Sequence, residues 1–138
     1  MASKIKTLQR KAESLWKECC LLRDGRECQV QKHFPYIKTS HSEVYQVDHC
    51  FSRRLKRHFL SIANGTVVCS SCNLNKNHND AIYLAIHEIV KEREGSVYER
   101  MKEEVEQGGA FLNWRNIGWL EDTIETLKGI KELFEGKT

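Results

Sequence analysis

Proline occurs once in the 138 residues, as Pro35, and the eight glycines are scattered, so the chain carries neither a stiff proline spacer nor a Gly/Ser tether. No internal repeat is visible, which argues against a solenoid. No apolar run approaches the roughly 20 residues needed to cross a bilayer, and the opening MASKIKTLQRK is too polar to be the core of a secretory signal. A soluble, cytoplasmic protein without a membrane partner is therefore expected. Acidic side chains are also missing from one long stretch. From His49 to Asn79 there is no Asp or Glu, while Arg53, Arg54, Lys56, Arg57 and Lys76 are basic. From Glu88 onward the balance reverses, with twelve acidic against eight basic residues. The overall charge of +3 thus conceals a local positive field suited to a phosphate backbone.

At this length, with 40% hydrophobic residues, one compact domain over 1–138 is expected. Ile5, Leu8, Ala12, Leu15, Trp16 and Cys19 recur at spacings of three and four, giving an apolar stripe on a helix that ends near Arg23-Asp24-Gly25. The stretch from Glu27 to Ser42 reads as a loop around Pro35. Glu43 to His49 and Gly65 to Cys69 read as short strands, joined by the basic segment. A helix is expected from Asn73 onward, with a restart near Asn77 to Asp80. Further helices are expected over Asp80–Glu94, stopped by Gly95, and from a Ser96/Glu99 capping box to Gly108-Gly109. A last amphipathic helix runs through Leu120, Ile124, Leu127, Ile130 and Phe134. The expected class is α+β, mainly α: an N-terminal helix (1–26), a two-strand-plus-helix core (27–80) and a helical extension (81–138). Trp114 and Trp119 are read as core anchors, not as platforms for bases.

The chemistry-bearing residues crowd into Val47–Lys76. Asp48-His49 is followed by Asn64, then by Cys69-Ser70-Ser71-Cys72-Asn73, with Lys76 three residues on. A strand ending in Asp-His, a loop with Asn, a second strand and a helix beginning beside a CxxC resemble the HNH, or ββα-metal, nucleases. Hydrolysing a phosphodiester requires a base for water and positive charge on the phosphate oxygens. His49 is the natural base, since imidazole titrates near neutrality. Asp48 and Asn73 offer the oxygen ligands that Mg2+ or Mn2+ prefers. Asn64 is placed to bond across the loop and hold the His49 ring. Lys76, one turn beyond Asn73, is a phosphate contact together with Arg53, Arg54, Lys56 and Arg57.

Six cysteines with no secretory signal point to metal and packing more than to disulfides. Cys69 and Cys72 form half of a tetrahedral zinc site. Cys28 supplies a third ligand, but Gln31 stands where a second CxxC would close. His33 is taken as the fourth ligand, with His41 and Cys50 in reserve; the competing reading is a decayed site whose cysteines pack. Cys19 and Cys20 are read as small buried hydrophobes.

His49-Cys50-Phe51-Ser52-Arg53-Arg54, Asn64, Cys69–Asn73, Lys76, Asn79 and Tyr83 together resemble the NinG, or Rap, family of phage recombination nucleases. Asp48-His49 with Asn73 is also similar to the phage endonuclease VII group, a likeness that supports Asp48 and Asn73 as metal ligands. The resemblance implies a DNA endonuclease selective for branched intermediates such as Holliday junctions, working in the host cytoplasm if phage-encoded. Symmetric cutting further implies a homodimer, with the C-terminal helices as its surface. Two other functions fit the same residues: a sequence-specific or nicking HNH endonuclease on linear DNA, and a zinc-supported nucleic-acid binding module without catalysis.

Overall fold

The computed structural model describes residues 2–37, 41–51, 59–107 and 113–136. Helix α1 (Ala2–Asp24) is followed by a short α2 (Gln29–His33), strand β1 (Tyr45–His49), a single 3-10 turn (Ile62–Asn64), strand β2 (Gly65–Cys69) and helix α3 (Ser70–Asn75). Helices α4 (Asp80–Glu94) and α5 (Ser96–Gln107), a second 3-10 turn (Asn113–Arg115) and α6 (Ile117–Phe134) complete the order. The chain is α+β and mainly helical, as its periodicity implies.

In the apolar stripe of α1, Ala12, Trp16 and Cys19 have no exposed surface and Ile5, Leu8 and Leu15 are half-buried; Cys20, beside the stripe, is also fully buried. The helix stops where Gly25 takes a φ of 77°, a left-handed turn that costs a residue without Cβ nothing. Its buried face lies along α6, where Leu120, Ile124 and Leu127 are buried in the same core. Lys131 on α6 and Glu18 on α1 meet at 2.8 Å along the seam.

β1 and β2 pair antiparallel, with Tyr45 opposite Cys69, Val47 opposite Val67 and His49 opposite Gly65. All five residues of β2 are buried, because α1 covers one face of this two-stranded sheet while α2 and α3 approach from elsewhere. α1 comes so close that a Cβ on Gly65 would lie 2.4 Å from Cys20 Sγ and 2.8 Å from Trp16 Cζ2. Two guanidinium groups also converge on this strand start. Arg23 donates to Ile62 O at 2.5 Å and Gly65 O at 2.6 Å, and Arg93 reaches Ala63 O and Gly65 O at 3.0 Å each.

Three boundaries depart from the sequence reading. Within the expected loop over Glu27–Ser42, residues Gln29–His33 form α2, five residues that are too few to display a period. α3 begins at Ser70, not Asn73, because the Cys69 sulfur accepts the Cys72 amide and caps the helix. β1 begins at Tyr45, two residues later than Glu43. The expected stop at Gly95 holds, with φ 59°.

Candidate metal centre and hairpin site

Cys28, at the N-terminal cap of α2, is brought against the Cys69/Cys72 knuckle at the junction of β2 and α3. His41 completes the group, and the four ligand atoms lie within 4.8 Å of one another. The separations are 3.8 Å from Cys28 Sγ to Cys72 Sγ and 3.5 Å from His41 Nδ1 to both Cys69 Sγ and Cys72 Sγ. Zinc–sulfur and zinc–nitrogen bonds of about 2.3 and 2.05 Å at tetrahedral angles would put sulfurs about 3.8 Å apart and sulfur–nitrogen pairs about 3.6 Å apart. These three separations match a tetrahedral metal ion such as zinc, and all four ligand atoms are close enough to hold one. The hydrogen bond with Cys72 lowers the Cys28 thiol, helped by the Gln31, Cys69 and Val30 amides against the opposing effect of burial. The same bond, with burial, pushes Cys72 up.

His33 does not join the cluster. It lies at the far end of α2 from Cys28, is exposed, and meets Gln29 Oε1 one turn back at 3.2 Å. His41 takes the expected position of His33. The other reserve, Cys50, is also elsewhere, 3.5 Å from His87 Nδ1. Cys19 and Cys20 pack as small buried hydrophobes.

Asp48 and His49 are adjacent on β1 and so project to opposite faces of the sheet. The His49 ring is stacked between two aromatic rings, Trp16 at 4.1 Å and 14° and Phe59 at 4.4 Å and 7°. Trp16 is itself anchored by its indole N–H to Ser61 O at 2.8 Å. Asn64 is fully buried and bonds across the loop: its Oδ1 accepts the Phe51 amide at 2.8 Å, and its Nδ2 donates to Phe51 O at 3.1 Å and Phe59 O at 3.2 Å. Asn64 thus positions Phe59, and Phe59 in turn lies against the His49 ring. The sequence reading has Asn64 bond across the loop to hold His49; its bonds do cross the loop, but they go to Phe51 and Phe59, and neither the part of Phe59 nor that of Trp16 as the other wall is read from the sequence.

On the other face, the Asp48 carboxylate is only 5% exposed and forms an ion pair with Lys76 through Oδ1. Its Oδ2 is buried with no hydrogen-bond partner among the described residues. Burial raises the Asp48 carboxyl, more than Lys76 lowers it, so one ammonium undercompensates the buried charge. Asn73, half-buried on α3, donates from Nδ2 to Gln46 Oε1 at 2.6 Å, so its carbonyl oxygen is not used in this bond. Among the described residues, the Cys28–His41–Cys69–Cys72 group is the only convergence of three or more His, Cys, Asp or Glu side chains. Arg53, Arg54, Lys56 and Arg57, expected to contact DNA, lie outside the described residues.

Near Asp48 stands a cluster that the sequence did not flag. His87 on α4 meets the Tyr98 hydroxyl at 3.0 Å through Nδ1, and Phe51 packs its ring edge-on at 5.0 Å. Burial, then the charges of Lys76 and Lys102, lower the His87 imidazole, which favours its neutral form. No protein-family model, curated protein or solved structure matches the chain. None of the described helices is long and apolar enough to cross a membrane.

Proposed function

We propose that this protein is a metal-dependent DNA endonuclease of the HNH type, hydrolysing phosphodiester bonds, with branched recombination intermediates of the NinG kind as its substrate. The observation that carries this reading is the assembly of one hairpin and one helix on a Cys/His metal cluster, with a buried, undercompensated carboxylate and a clamped imidazole at the same end of β1. In this reading Cys28, His41, Cys69 and Cys72 hold a structural zinc that locks α2, β2 and α3 together.

Asp48 and His49 are the last two residues of β1, where the chain leaves the ladder, so a phosphate at that edge would meet both faces of the strand. His49 accepts the proton of the attacking water. Stacking between Trp16 and Phe59 restricts its rotation, and a base held in place contributes on the order of 100- to 10,000-fold in rate. Asp48 and Asn73 supply oxygen donors for Mg2+ or Mn2+, which would neutralise charge on the phosphate oxygens. Arg53, Arg54, Lys56 and Arg57 would track the DNA backbone, and a homodimer would present two sites to a junction.

One observation favours the non-catalytic binding module instead: the Asp48 carboxylate is already paired with Lys76. Labelled four-way junctions incubated with zinc-loaded protein, beside matched linear duplex and with and without Mg2+, distinguish these readings. Metal-dependent cutting of the junction ahead of the duplex is expected. Salt-sensitive binding with no cleavage of either substrate would support the binding module and sink the nuclease.

A further inference from the structure

We propose that Lys76 is a built-in competitor for the divalent cation at Asp48, its ammonium occupying the carboxylate in the resting protein and moving to a phosphate when the ion loads. The inference rests on the reading of Asp48 as a metal ligand and adds the means by which loading is controlled.

Lys76 immediately follows the last residue of α3 with helical backbone angles, one turn beyond Asn73. From there its side chain reaches back to Asp48 Oδ1 and closes the distance between helix and strand. Its partner is 5% exposed, whereas the lysine side chain is 23% exposed, so the lysine is the member of the pair that solvent reaches more readily. A lysine head is a compact charge on a flexible four-carbon stem, able to leave one acceptor for another without moving the backbone. The buried Asp48 Oδ2, with no hydrogen-bond partner among the described residues, shows that the ammonium satisfies only part of the carboxylate. A doubly charged ion with its own waters could neutralise the carboxylate more completely than the ammonium does in this arrangement.

Two consequences follow. Cation affinity is reduced by the cost of displacing Lys76, so the site stays unloaded at low metal concentration. The displaced ammonium becomes available to a phosphate oxygen, so cation and DNA bind with positive coupling, and linkage makes that coupling reciprocal. The basic residue thus exchanges one anion, the carboxylate, for another, the phosphate.

The test is Mn2+ binding, read from the paramagnetic resonance signal of free Mn2+, on zinc-loaded full-length protein. The variants are Lys76→Met, Lys76→Gln, Lys76→Arg and Asp48→Asn, each checked for retained folding by circular dichroism. Removing the charge with Met or Gln should tighten Mn2+ binding at least about tenfold, a lower bound set by one opposing charge screened as strongly as in bulk water. Lys76→Arg should bind as weakly as the wild type, and Asp48→Asn should lose the site. Unchanged or weaker binding by both Met and Gln variants, while Asp48→Asn still abolishes it, would overturn the competitor alone. If Asp48→Asn binds as well as the wild type, Asp48 is not a ligand, and the reading beneath the proposal falls with it.

Discussion

His41 and His33 separate two ways of choosing a metal ligand. His33 is the histidine nearest to Cys28 in sequence, but α2 turns it away and gives it Gln29 as a neighbour. His41 arrives from beyond the helix to meet both Cys69 and Cys72. Metal analysis of purified variants should therefore find about one zinc per chain in the wild type and in His33→Ala, with a marked loss in His41→Ala and Cys69→Ser. Chelation of the wild type should lower its stability by on the order of several kcal/mol, measured by thermal unfolding, because ion binding is folding free energy at such a site. Full zinc retention in His41→Ala with loss in His33→Ala would reverse the assignment. The Cys69/Cys72 pair was legible because a knuckle is local; its histidine was not, because 28 residues separate His41 from Cys69 and only the fold closes that gap.

The hairpin shows what elements add to residues. Asp48, His49 and Asn64 could be read as a group from their order, and β2 from its Val-rich run. What could not be read is how the loop is secured: Asn64 satisfies three backbone groups of Phe51 and Phe59, and those partners become apparent only when the chain folds back. Asn64→Ala should cost about 3 kcal/mol or more, as several buried backbone groups lose their partners. A fall in the urea midpoint measures this, and a wild-type midpoint would contradict the clamp. At the end of α1, burial pushes the Asp24 carboxyl up, but the Arg23 hydrogen bond and charge and the Val67 amide outweigh it and leave the group below its usual value. A carboxyl lowered in the folded state stabilises at pH values above its unfolded pKa, and that stability is lost as pH falls through the folded value. Acid unfolding below about pH 4 should thus be shallower in Asp24→Asn, which is already destabilised at neutral pH. Parallel wild-type and variant curves from pH 7 to pH 2 would exclude Asp24 as a contributor.

Across the whole molecule, the helices frame the hairpin. α1 forms its floor: Trp16 supplies a wall to His49, Cys20 and Trp16 make glycine necessary at position 65, and α6 lies along the same helix. The apolar stripes predicted these helices well, because amphipathic spacing survives in a single sequence. They did not predict that a core tryptophan would also hold the candidate base, since one apolar residue looks like another until its neighbour is known. The fold therefore brings together two candidate sites with different physical characters. One is a buried sulfur–imidazole cluster whose spacing already suits an ion; the other is a carboxylate edge held by a lysine. Hydrolysis at that second edge is the central claim, and nicking of supercoiled plasmid by the zinc-loaded protein tests it most directly. With Mg2+ or Mn2+ the wild type should convert plasmid to nicked circles, and His49→Ala, retaining its zinc and fold, should be at least about 100-fold slower. Equal rates for the wild type and His49→Ala, or no nicking with either ion, would contradict the account.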